Sequence, residues 1–199
     1  MGTVINPRGT SGAGKTELIR RVMADLRSRG ASAEPMWRSG RERPIAWRFT
    51  SIPGSRPVLV VGHYERTRGG CDTIPLRDGG LDEAFRLAGD FAADGHDVLM
   101  EGLELSGEFR RTIALARWCK VRVIRLTTPL GHCIRNVLAR RGAGCGTLAP
   151  INRTVMGAHA ALEAACAALE AELVPVEHLT FDAALHAIRG VFRLEREAL

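Results

Sequence analysis

Lysine is almost missing from this chain: of its 28 basic residues only Lys15 and Lys120 are lysines. Against 22 acidic residues the basic set leaves a formal net charge of +6 and a pI near 9.6. An arginine-dominated surface suits phosphates, because the guanidinium fork pairs with them bidentately. GC-rich coding accounts equally well for the choice of arginine over lysine, but not for the net charge. Long apolar runs are also missing. Val58–Val61 and Val98–Met100 are strand-sized, far short of the roughly 18 residues of a membrane span. No basic segment followed by an apolar stretch precedes the first strand, so the expected location is the cytoplasm. The five cysteines (Cys71, Cys119, Cys133, Cys145, Cys166) form no CxxC pair and are odd in number. That argues against a disulfide framework and a thiolate zinc site, and reduced thiols are expected. Repeats, low-complexity tracts and linkers are absent too. A chain of 199 residues with one well-buried core, and so one domain spanning 1–199, is the expectation.

What is present alternates short β-rich runs with longer helical stretches, the pattern of a parallel sheet covered by helices. Thr3–Asn6 reads as a first strand and Lys15 to Arg29 as a helix, with Leu18, Val22 and Leu26 on one face. Trp47–Ser51 and Val58–Gly62 read as strands joined by a Pro53-Gly54-Ser55 turn. Helices are expected over Leu81–Ala93, Ser106–Trp118, Pro129–Arg140, 152–172 and Phe181–Phe192. Strands are expected over Asp97–Met100, Val121–Leu126 and Val174–Val176.

Gly9-Thr10-Ser11-Gly12-Ala13-Gly14-Lys15-Thr16 matches GxxxxGK[ST], between a strand and an amphipathic helix. Glycines there let backbone N–H groups turn inward around phosphates at the positive end of the helix. Gly12, Ala13, Gly14 and Lys15 are the expected nucleotide cradle, and the Thr16 hydroxyl the expected ligand of Mg²⁺. Glu101 ends the apolar Val98–Met100 strand. Ligands in open α/β sheets bind outside the carboxyl ends of strands, where a carboxylate can hold Mg²⁺ or accept a proton. These features predict a three-layer P-loop kinase fold with a mostly parallel, five-stranded sheet. ATP with Mg²⁺ is the expected cofactor.

Arg135, Arg140 and Arg141 lead into Gly142-Ala143-Gly144-Cys145-Gly146, which reads as an arginine-bearing lid over about 135–150. Such a lid neutralises charge on a transferring phosphate and excludes water. A solvated helix face is the competing reading for each arginine, with at least one expected to act. Arg135 and Arg141 are assigned to the nucleotide and Arg140 to catalysis. An insertion over about 37–80 is the expected acceptor site. Its Gly69-Gly70-Cys71-Asp72-Thr73 loop permits unusual backbone angles beside a ligand. Asp72 is taken as the general base, with an Asx-turn cap as the rival reading. Asp72 and Glu101 could exchange roles. Trp37, Arg48, Tyr64 and Arg66 are the candidate substrate contacts. Trp37 to Arg48 interleaves indoles with guanidiniums, as single-strand grooves do, and as core tryptophans flanked by solvated arginines also do.

The P-loop, Gly62-His63-Tyr64, Gly69 to Thr73 and Asp97 to Gly102 together resemble the bacteriophage kinases that act on 5-hydroxymethyluracil in DNA. The resemblance spans about residues 3 to 192. It implies phosphorylation of the base's hydroxymethyl group as an activating step of thymidine hypermodification, in the host cytoplasm. DNA would be the partner, its base presented outside the stack. The alternative is a kinase of a free hydroxyl compound such as a nucleoside, nucleotide or antibiotic. An NTP-dependent switch comes third.

Overall fold

A computed structural model describes residues 1–51, 54–65, 74, 79–102, 108–142 and 148–194. In chain order the elements are β1 (Thr3–Arg8), α1 (Lys15–Ser28), β2 (Ser32–Met36), β3 (Ala46–Thr50), β4 (Val58–Val61), α2 (Gly80–Ala93), β5 (Asp97–Met100), α3 (Glu108–Ala116), β6 (Lys120–Leu126), α4 (Leu130–Arg141), α5 (Leu148–Ala171), β7 (Val176–Leu179) and α6 (Phe181–Val191). The sheet has seven strands rather than the expected five, ordered β2-β3-β4-β5-β1-β6-β7. β4, β5, β1, β6 and β7 run parallel, and β3 and β2 extend them antiparallel. The sheet is mostly parallel as expected, and its count exceeds the expected five because β2 and β3 are added antiparallel.

β2 is the element that pattern reading misses. Ser32–Met36 carries no alternating apolar face and has Pro35 in its middle. Proline cannot donate to a ladder, and it survives here because β2 is an edge strand held only by β3. β7 lies at Val176–Leu179, slightly later than expected. β1 runs on to Arg8 because its pairing with β6 continues through Arg8↔Arg125.

Alternate residues of the strands feed two hydrophobic layers. Ile5, Val60, Leu99 and Ile124 pack with α1, α4, α6 and the start of α5 on one face. Val4, Leu59, Val98 and Val123 pack with α2 and α3 on the other. This is the period of two that a strand buried on both sides imposes. α1 buries Leu18, Ile19, Val22, Met23 and Leu26, each worth roughly 1.5–3 kcal/mol on burial, which seats the helix whose first residue is Lys15. From β1 the chain crosses to β2 at the edge, steps back through β3, β4 and β5 to lie beside β1, then crosses to β6 on the other side. That reversal puts the mouth of the fold at the carboxyl ends of β1 and β5. Among the described residues no helix is long and apolar enough to cross a membrane.

Candidate active site

The Gly9–Thr16 loop joins β1 to α1 at that mouth. Gly12 (φ 88°) and Gly14 (φ 101°) occupy the left-handed region, which side chains other than glycine enter at a cost of roughly 1–2 kcal/mol. Gly12 has a second reason to be glycine, since a Cβ there would lie 2.3 Å from the carbonyl oxygen of Cys133. The loop carbonyls are taken from outside. Asn136 Nδ2 donates to Gly12 O at 2.8 Å, and Thr128 Oγ1 donates to Ala13 O at 2.9 Å. Gly14 caps α1 without any side-chain hydrogen bond. The first-turn N–H groups are thus left for an anion at the positive end of the helix.

Three side chains converge on this loop. Lys15 Nζ donates to Gly9 O at 2.5 Å and lies 4.0 Å from Glu101 Oε1. Thr16 Oγ1 donates to Glu101 Oε2 at 3.4 Å. Glu101 is placed because β5 ends at Met100 while β1 continues beside it. Asn6 Nδ2 donates to Met100 O at 2.9 Å, and Gly102 N donates to Pro7 O at 2.9 Å. Two oxygens on adjacent vertices of an octahedral Mg²⁺ stand about 3 Å apart. The Thr16–Glu101 separation is close to that, so the pair fits a hard divalent cation. Among the described residues no three His, Cys, Asp or Glu side chains gather elsewhere as a metal cluster.

No protein-family model matches the chain. Over 188 residues, 94% of this chain and 95% of the relative, it is 36% identical to a protein named 5-hmdU DNA kinase from Pseudomonas phage PaMx11. The chain belongs to the 5-hmdU DNA kinase family. It is therefore a kinase, and the likeness runs through nearly its whole length rather than the Gly9–Thr16 loop alone.

In this family member the remaining expected residues divide by position. Arg135, Arg140 and Arg141 are exposed on α4, the helix that reaches Gly12 through Asn136. Arg140 follows Asn136 by four residues and so shares its face. Trp37 is 58% exposed. The row Met36↔Ala46↔Val61↔Met100 aligns four strand ends. Trp37 and Glu101 each follow that row, three strands apart, about 14 Å by ordinary strand spacing. Arg48 is not brought to this edge. It projects from the opposite face to Trp47, with Nε 3.2 Å from His96 Nε2 and Nη1 3.8 Å from Glu34. Tyr64 (φ 47°) is buried in the core beside α1, and its carbonyl accepts from Arg20 Nε at 2.8 Å. A cleft of about 420 Å³ opens there, lined by Arg20, Met23, Arg27, Tyr64 and Glu65. Arg66, Cys71 and Asp72, the turn residue Pro53, and 143–147 of the expected lid lie outside the described residues.

Thr128 and Asn136 were not singled out in the sequence. Neither was His159, whose Nδ1 lies 2.9 Å from Thr10 Oγ1. Each touches the loop from more than a hundred positions away, so no local spacing marks them. Asn6 and Arg8 did leave a signal, as polar residues inside an otherwise apolar first strand.

Proposed function

We propose that this kinase transfers the γ-phosphoryl group of ATP to the hydroxymethyl oxygen of 5-hydroxymethyluracil in DNA. The observation that carries the reading is the convergence of Lys15, Thr16 and Glu101 on a glycine loop, in a member of this family. The hydroxymethyl oxygen attacks the γ-phosphorus in line. An O–P bond forms as the bond to the β,γ-bridging oxygen breaks, and ADP leaves. Lys15 and the N–H groups of Gly14 to Thr16 at the start of α1 hold the β- and γ-phosphates. Thr16 and Glu101 would hold Mg²⁺, which when bound would supply positive charge to offset the charge developing on the leaving group.

Arg140 balances charge on the transferring group, with Arg135 and Arg141 contacting the nucleotide. Asp72 accepts the hydroxyl proton, and Arg66 and Trp37 flank the acceptor base, whereas Tyr64, buried in the core, does not reach it. Exposed Trp37 offers an indole face on which a base can stack. A base paired within the duplex cannot reach this mouth, so the nucleotide is flipped or single-stranded. The product carries a phosphate ester in place of a poor leaving group, which a later substitution at the same carbon consumes. The enzyme works in the host cytoplasm, where both ATP and phage DNA are found.

The test is transfer of γ-labelled phosphate from ATP–Mg²⁺ to DNA containing 5-hydroxymethyluracil or only thymine. Label in the modified DNA alone, recovered on the base after nuclease digestion, is the expected result. Label in neither DNA, with transfer to free nucleosides or small alcohols instead, overturns the acceptor assignment.

A further inference from the structure

Arg8 is wholly buried where β1 meets the phosphate loop. A buried guanidinium is expensive unless its donors are met. Here Nε donates to Asn6 Oδ1 at 2.9 Å and Nη2 to Thr112 Oγ1 at 2.9 Å. Nη2 also lies 2.6 Å from Glu108 Oε2, a carboxylate at the start of α3 that is itself 1% exposed. Nη1 has no partner. Burial pushes the Glu108 carboxyl up, against the opposing pull of Arg8. Such a pair adds little net stability over apolar residues of the same size, so its position is the informative property.

The chain of contacts leads to Glu101. Asn6, oriented by Arg8, uses its Nδ2 to hold Met100 O, the carbonyl on one side of Glu101. On the other side, Gly102 N is held by Pro7 O. A Cβ on Gly102 would meet Arg8 Cγ at 2.6 Å and Asn6 Oδ1 at 2.9 Å, so Gly102 packs directly on this network. Both peptides flanking Glu101 are therefore tied to β1, one of them through Asn6, which Arg8 orients. We propose that Arg8, anchored by Glu108, is a positioning residue that holds the Glu101 carboxylate opposite Thr16 and so sets the affinity of the site for its divalent cation. This rests on the metal-site reading above.

The experiment measures Mn²⁺ binding by the electron paramagnetic resonance of free Mn²⁺, in the presence of a non-hydrolysable ATP analogue. Melting temperatures and metal-free nucleotide binding are measured beside it. Arg8→Met/Glu108→Leu replaces the pair with apolar volume. It is expected to stay folded and bind metal-free nucleotide normally, with Mn²⁺ affinity weakened roughly 10–100-fold, as when the partners that orient a metal ligand are lost. Its kcat recovers at saturating Mg²⁺, which a merely structural defect does not do. Thr112→Val removes one acceptor from Arg8 and one donor from Glu108 while keeping both charges. It shifts Mn²⁺ affinity the same way, about fivefold for one hydrogen bond, and decides the matter if the double variant does not fold. Wild-type Mn²⁺ affinity in a folded double variant, or in Thr112→Val should the double variant not fold, overturns the proposal. Mn²⁺ binding that is absent from the wild type, or unchanged in Glu101→Gln, instead overturns the metal-site reading.

Discussion

Glu101→Gln separates the cation's role from the nucleotide's, because the substitution keeps shape and removes one charge. Lys15 and Glu101 are 4.0 Å apart with side chains 11% and 4% exposed. Unit charges at that distance interact by about 4 kcal/mol at an effective dielectric constant near 20. In the absence of a cation, Glu101 both occupies Lys15 and repels an incoming triphosphate. The amide relieves both, so metal-free ATP should bind Glu101→Gln more tightly than wild type. If a third of the interaction is recovered, the gain is about tenfold. With Mg²⁺ present the order reverses. The variant loses an anionic ligand, its Mg²⁺ requirement rises, and kcat falls by roughly 10²–10³. Calorimetric titration of ATP in EDTA and in Mg²⁺ reads both arms. Weaker metal-free binding in the variant, or an unchanged Mg²⁺ dependence, would refute the geometry assigned to Glu101.

Gly12→Ala should cost nucleotide affinity tenfold or more, because the new Cβ meets the backbone oxygen of Cys133 at 2.3 Å in addition to the roughly 1–2 kcal/mol of a left-handed alanine. Gly40→Ala has a similar φ of 77° but open space around it, and should cost only the conformational part; equal effects on ATP binding would discredit the packing argument. Arg140→Ala should lower kcat roughly 10²–10³-fold with little change in KM for ATP, and a pure KM effect would move that arginine out of the transferring-group role. His96, buried and beside Arg48, titrates below the ordinary 6.5, chiefly through burial and then through Arg48. The unfolded chain therefore binds a proton that the folded one refuses, and stability falls as pH drops below about 6.5. NMR titration should place His96 below a free imidazole and move it partway back in Arg48→Ala. A native value at or above 6.5 would contradict the assignment.

The βα turn at Gly9–Thr16, the strand-end position of Glu101 and the parallel core were legible because each is written locally. A motif of fixed spacing sits between a strand and a 3.6-period stripe, and a carboxylate follows an apolar run. β2 was not, because Ser32–Met36 has no periodic face of its own and becomes a strand only by pairing with β3. That omission also hid the alignment of Trp37 with Glu101 along one sheet edge. The separation of Trp47 from Arg48 could have been read earlier, since neighbours in a strand face opposite ways. The ties from Thr128, Asn136 and His159 to the loop exist only after the chain has folded.

One of those ties has a bearing on timing. Asn136 and the Cys133 carbonyl lock α4 against Gly12, and α4 continues unbroken to Arg141 before Gly142 turns it at φ 58°. The Gly9–Thr16 loop and the base of the arginine-bearing helix are thus joined as the chain folds. Arg135 and Arg140 do not have to be recruited when nucleotide arrives. Their backbone placement, and the entropy it costs, are settled before any encounter with nucleotide.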